Sequence, residues 1–270
     1  MSTLFGTCSW NFDSWEGLVY SETRRRAAEY LTEYAEKYRT AEIDSWFYRI
    51  PAREDVEEYR DRVDSEFRFT GKVPRDLTRP EEDTFLAPEL FESFLESIEP
   101  LLPRMDALMF EFGYLNKRKM PSLEAFIEKF ETFIEAVPGG FPYAVETRNG
   151  NYLKPPYFEF LRRNGLIHVF SEKQYMPRIY ELLPRIKPYL GESTVIRLLG
   201  GDRKAIEELT GGKWDRIVDP REDLPKIAEM IRDLSRTMRV TVNVNNHYEG
   251  SAPRTIERLR GLVEGPGAKE

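Results

Sequence analysis

Val240-Thr241-Val242-Asn243-Val244-Asn245-Asn246-His247 is the stretch whose reading decides the fold of this chain. Its valines recur at every second position and form one apolar face, which turns Thr241, Asn243 and Asn245 to the other. A strand of this kind packs under helices on one side and delivers polar groups at its carboxyl end. Seven more β-rich runs precede it: Leu4–Trp10, Thr40–Phe47, Phe67–Val73, Ala107–Phe112, Tyr143–Arg148, Leu166–Ser171 and Thr194–Leu199. The gaps carry apolar residues at helical spacing, such as Ala27, Tyr30, Leu31 and Tyr34, or Phe91, Phe94, Leu95 and Ile98. A last helix opens at Ser251-Ala252-Pro253, where serine can cap and proline suits the first turn.

Alternating strands and helices join parallel strands by crossovers, and eight repeats in 270 residues match the roughly 250 residues of a (β/α)8 TIM barrel. An open doubly wound sheet would carry a glycine-rich phosphate loop after its first strand, and Gly6-Thr7-Cys8-Ser9-Trp10-Asn11 is no such loop. The expectation is an α/β protein with one parallel eight-stranded TIM barrel over residues 1–263 and a flexible tail over 264–270.

Composition narrows the function classes. With 40% hydrophobic residues one core can be filled, and no run reaches the ~18 apolar residues of a membrane span. The first strand begins almost at once, leaving no room for a signal peptide, so a cytoplasmic protein without a membrane partner is expected. The single cysteine, Cys8, excludes an internal disulfide and is read as a small buried residue pointing outward from the first strand. Net charge is −7 and basic residues sit beside acidic ones on helices, which argues for solvated faces rather than a nucleic-acid stripe. A charged fraction of 32% with one glutamine suits a thermophilic source.

Strand parity gathers a cluster. Thr7 and Ser9, Glu42 and Asp44, Thr70 and Lys72, Glu111, Glu146 and Arg148, Arg197, Asn243 and Asn245 are expected to face inward, while the sixth strand turns in either Ser171 or the pair His168 and Glu172. This places four carboxylates and three cations at the carboxyl ends of the strands, where barrel enzymes build their sites. An ionic plug is the alternative reading, yet burying such charges costs several kcal/mol per ion and stabilises poorly. Glu42 and Glu146, with Glu111 as a further candidate, are therefore the expected acid/base groups, and Lys72, Arg148 and Arg197 suit an anionic group, Lys72 being counted with Glu42 and Glu146 in the expected catalytic set. Trp10 and Tyr48 could stack on a ring, and Asn243, Asn245 and Asn246 could orient it.

Two histidines, His168 and His247, are too few for the usual zinc sites, and the three cations oppose Mg²⁺ or Mn²⁺ on the carboxylates, so no metal or other cofactor is expected. A paired-carboxylate glycosidase would want a glutamate where the seventh strand has Arg197. The loops Leu199-Gly200-Gly201-Asp202-Arg203 and Asn245 to Ser251 stand where barrels grip phosphate, although Asp202 and Glu249 oppose an anion.

Several segments together carry a resemblance: Gly6-Thr-Cys-Ser-Trp10, Trp15-Glu-Gly17, Glu42-Ile-Asp-Ser-Trp-Phe47-Tyr48, Phe67-Arg-Phe-Thr-Gly-Lys72-Val-Pro74, Val145-Glu146-Thr-Arg148, Ile196-Arg197-Leu-Leu-Gly200 and Asn245-Asn246-His-Tyr-Glu-Gly250-Ser-Ala252. In order, over nearly the whole chain, they resemble the YecE-like family. The resemblance implies a TIM barrel and pocket positions at Trp10, Glu42, Tyr48, Lys72, Glu146, Arg148, Arg197, Asn245 and Asn246. It implies no established reaction. The family pattern has Gln where Glu111 stands, His at Arg79 and Leu199, and Asp at His247, which lowers the standing of Glu111. The expected function is a metal-independent hydrolase, lyase or isomerase acting on a small anionic, sugar- or nucleotide-like molecule. A non-catalytic sensor using the same pocket is the alternative.

Overall fold

A computed structural model describes residues 3–24 and 26–265. The chain runs through β1 (Thr3–Thr7), α1 (Ala27–Lys37), β2 (Thr40–Ile43), α2 (Arg53–Asp61), β3 (Arg68–Lys72), α3 (Pro88–Ile98), β4 (Met105–Phe112), α4 (Leu123–Ala136), β5 (Tyr143–Thr147), α5 (Pro155–Arg163) and β6 (Ile167–Lys173). It continues through α6 (Ile179–Ile186), β7 (Ser193–Gly200), α7 (Arg203–Thr210), α8 (Leu224–Ser235), β8 (Arg239–Val244) and α9 (Ala252–Glu264). These are the strand and helix repeats of the (β/α)8 TIM barrel that the sequence predicts.

Strand boundaries differ where polar residues follow. The ends of two predicted strands wind instead into 3-10 turns, at Ser45–Phe47 after β2 and Asn246–Tyr248 after β8. Helix α7 is an addition to the sequence reading. Its signals are local: Asp202 caps it by accepting from the Lys204 and Ala205 N–H groups, and Gly211 ends it in the left-handed conformation. Residues 266–270, most of the expected tail, lie outside the described residues, and Glu264 belongs to α9.

Two compact units make up the chain. The first comprises Met1–Glu42, Phe170–Arg185 and Glu192–Glu270. Within it β8 lies parallel to β1, with Gly6 opposite Asn243, and to β7, with Arg197 opposite Asn243. β1 meets β2 at a parallel bridge between Cys8 and Glu42. A Cβ on Gly6 would lie 2.0 Å from the Thr40 carbonyl oxygen, so this close approach requires glycine. The parity expected for β1 is reversed. Thr7 faces the helices, its hydroxyl 2.9 Å from the Tyr34 hydroxyl of α1, and Phe5 on the same face lies 5.6 Å from the Arg260 guanidinium of α9. Without a regular apolar and polar alternation in Leu4–Trp10, parity had nothing to anchor it.

The second unit comprises Ile43–Val169 and Ile186–Gly191. Here β3, β4 and β5 are parallel neighbours, and β5 pairs with the start of β6. Leu108, Phe110 and Phe112 share one face of β4. The Phe110 ring meets Phe91 at 5.3 Å, Phe130 at 5.3 Å and Phe133 at 5.6 Å, and Phe112 meets Phe126 at 4.9 Å. All are buried, and rings at these separations contribute beyond their area alone. That packing commits Glu111, one residue out of phase, to the opposite face.

Candidate functional site

In the second unit, consecutive strands present charged groups at their carboxyl ends: Asp44 just after β2, Lys72 closing β3, Glu111 on β4, Glu146 on β5 and Arg148 just beyond it. Glu111 and Glu146 are register partners across parallel strands, which sets two carboxylates side by side. Their repulsion is offset by Arg148, whose Nη2 lies 3.1 Å from Glu111 Oε1 and 2.7 Å from Glu146 Oε1. Lys72 Nζ stands between Asp44 Oδ1 at 2.8 Å and Glu111 Oε2 at 2.9 Å, and 5.1 Å from the Phe47 ring centroid. Glu146 is fully buried, whereas Lys72, Glu111 and Arg148 keep a small exposed fraction.

Arg148 is incompletely satisfied. Its Nε and Nη1 are buried and make no hydrogen bond among the described residues. Buried polar groups are nearly always paired, and an unmade bond to a charged group costs more than one between neutral groups. Beside the cluster is a cavity of about 430 Å³ whose lining includes Phe47, Thr78, Arg79, Glu111, Tyr114 and Lys119. Tyr48 is 68% exposed, with the Arg75 guanidinium 5.9 Å from its ring.

The first unit holds the remaining predicted residues. Glu42 and Arg197 form a two-point pair, Nε to Oε2 at 2.8 Å and Nη2 to Oε1 at 2.6 Å, and Asn243 Nδ2 donates to Glu42 Oε2 at 3.2 Å. All three are withdrawn from solvent. Trp10 is buried with its indole N–H donating to the Ala27 carbonyl at 2.8 Å. Asn245 Oδ1 accepts the His247 backbone N–H at 2.9 Å and lies 2.6 Å from His247 Nδ1, while Asn246 Oδ1 accepts the Ala252 N–H at the start of α9. The two amides thus fix the turn after β8. His247 Nε2 meets Glu207 Oε1 at 2.9 Å, and burial holds its pKa below the ordinary histidine value against the pull of Glu207.

His168 settles the sixth strand. Its ring packs against Phe158 at 5.2 Å and Tyr157 at 6.1 Å, both on α5, so it is buried on the helix side. Burial pushes its pKa down to about 3. Glu249, which the sequence reading weighed against an anion, is fully buried and engaged, accepting the Arg221 N–H at 2.7 Å and the Thr255 hydroxyl at 2.8 Å. The loop after β7 borders a cavity of about 400 Å³ lined by Gly200, Gly201, Leu209, Arg178, Arg221 and Tyr248 among others. There the buried Glu172 accepts from Arg178 at 2.5 Å and from the Ile179 N–H at 3.1 Å, and burial raises its carboxyl despite both.

Arg79 and Tyr114 border the second unit's cavity and were not singled out as site residues by parity, because each follows a strand in a loop where alternation no longer applies. Among the described residues no group of three or more His, Cys, Asp and Glu side chains has a metal-holding arrangement, and no helix is long and apolar enough to cross a membrane.

Comparison with known proteins adds a family. The family described as "Protein of unknown function DUF72" matches residues 4–269. The UPF0759 protein YecE of Escherichia coli strain K12 is 26% identical over 137 residues, 50% of this chain and 47% of that protein, so the match spans about half of the relative. The UPF0759 protein YunF of Bacillus subtilis strain 168 is 25% identical over 257 residues, covering 87% of this chain and 86% of that one. The crystal structure of a DUF72 family protein from Enterococcus faecalis V583 superposes with a TM-score of 0.75 at 19% identity, covering 100% of both chains.

Proposed function

The chain belongs to the family described as protein of unknown function DUF72, and from that premise we propose that its second unit is an acid/base site for a small oxyanion-bearing molecule, sugar- or nucleotide-like in size. The observation that carries this reading is the pair of buried, unbonded donors on Arg148, Nε and Nη1. A carboxylate or phosphate oxygen would accept a charge-assisted bond from one of these donors; Nε–H and Nη1–H point to different edges of the guanidinium and, with Nη2 given to Glu111 and Glu146, do not form one fork. The ligand would then lie against Glu111 and Lys72, 2.9 Å apart and able to pass a proton between them. Glu146 fixes Arg148 from behind.

No metal is required in this proposal, since Asp44, Glu111 and Glu146 each face a cation of the chain itself. Glu42, doubly engaged by Arg197, is assigned a positioning role rather than the catalytic one the sequence suggested. A second reading, binding without turnover, is favoured by that same pairing, because each carboxylate is already compensated. A thermal-shift screen of phosphorylated sugars, nucleotides and small organic acids separates the two. The enzymatic reading expects a stabilising compound that wild type converts and Glu111→Gln binds without converting. Recovery of that compound unchanged after long incubation with wild type would leave only the sensor.

A further inference from the structure

The cavity beside Glu111 holds a cation that the charged cluster does not use. Arg79 lines it and is half-buried, yet among the described residues its guanidinium makes no hydrogen bond or ion pair, in contrast to Lys72, Arg148 and Lys119 in the same unit. Glu81, whose carboxyl feels the Arg79 charge, gives its carboxylate to Lys119 Nζ at 2.8 Å, and that bond is the main reason its pKa is lowered. A guanidinium with no partner in the protein keeps its donors for solvent or for a ligand.

Two aromatic rings line the same space. Phe47 is half-buried, and Tyr114 is 68% exposed, one of the few large apolar side chains left in solvent. Aromatic faces at a cavity of about 430 Å³ suit a flat or sugar ring, and the volume falls within the usual range for small-molecule sites.

We infer that this cavity takes a ring compound whose own oxyanion, separate from the one proposed at Arg148, lies on Arg79, with Phe47 and Tyr114 against the ring. The inference rests on the ligand site proposed above and adds to it the class of ligand and the residue that selects it. Carboxylates and phosphate esters offer the same pair of acceptor oxygens to a guanidinium, whereas a neutral ring offers none.

Calorimetric titration of the full chain with phenyl phosphate, benzoate and inorganic phosphate tests it, on wild type, Arg79→Met and Tyr114→Ala. At least one of the two ring anions binds wild type, and the tighter of them identifies the headgroup. Inorganic phosphate, lacking the ring, binds at least tenfold more weakly. Arg79→Met weakens the ring anion at least tenfold with its melting temperature unchanged, as expected of a cation that supports no structural contact, and Tyr114→Ala weakens it severalfold. Equal affinity in Arg79→Met and wild type, inorganic phosphate binding as tightly as phenyl phosphate, or no binding of either ring anion overturns the inference. The underlying site reading is judged separately: if Arg148→Lys lowers affinity for the metabolite found by screening while Arg79→Met does not, only the role of Arg79 falls.

Discussion

Glu42 and Arg197 hold one another through two parallel hydrogen bonds, with both side chains essentially excluded from water. A pair this deeply buried contributes little net stability, yet removing one member strands the other charge. Arg197→Leu and Glu42→Leu should each cost about 3–5 kcal/mol in urea unfolding, and the double variant should recover most of that loss. Additive losses would mean that the two charges are solvated independently.

Arg148 offers a separation of charge from geometry. Arg148→Lys keeps the positive charge near Glu111 and Glu146 but removes the two unbonded donors. Ligand affinity should fall at least tenfold, about 1.4 kcal/mol, while the unfolding midpoint changes little. A lysine variant that binds as well as wild type would show that only the charge matters.

His168 gives a pH prediction with a definite sign. Burial lowers its pKa from 6.5 to about 3, so the folded state prefers the neutral ring. A depressed folded pKa contributes stability that is fully present above pH 6.5 and is lost as pH falls towards 3. The loss should reach roughly 3–5 kcal/mol over that window by proton linkage. His168→Phe, packed against the same Phe158 and Tyr157 rings, should lack this component of the acid sensitivity. Parallel stability curves for the two proteins between pH 7 and pH 4 would contradict the assignment.

Gly6 tests the close contact of β1 and β2. Gly6→Ala forces a methyl group to within 2.0 Å of the Thr40 carbonyl oxygen, against backbone that cannot rotate away. A loss of about 2–3 kcal/mol is expected from overpacking, read as a lowered denaturation midpoint. An unchanged midpoint would mean that β1 shifts freely.

The fold could be read from the sequence because regular alternation survives in its strands. Val240, Val242 and Val244 are all buried, and between them Asn243 points to Glu42. The same rule brought together Lys72, Glu111, Glu146 and Arg148. It failed at Thr7, where the run has no polar and apolar rhythm and the Tyr34 hydroxyl rewards the helix-facing side. What alternation could not reveal is how polar residues divide between holding the chain and meeting a ligand. Asn245 and Asn246 are engaged in the turn after β8 through bonds set by loop geometry, and Arg79 stands in a loop after β3 where no period applies. Pairing is the informative quantity, and only three-dimensional contacts supply it.

In the proposed reaction Glu111 and Lys72 move a proton on a molecule held by Arg148. Incubating the stabilising compound from the screen with wild type and with Glu111→Gln in deuterated water, and following it by mass spectrometry, tests this most directly. Conversion or deuterium uptake is expected with wild type, and a rate at least a hundredfold lower with Glu111→Gln, the scale of a lost general acid or base. The same compound returned from wild type without product or deuterium would contradict it.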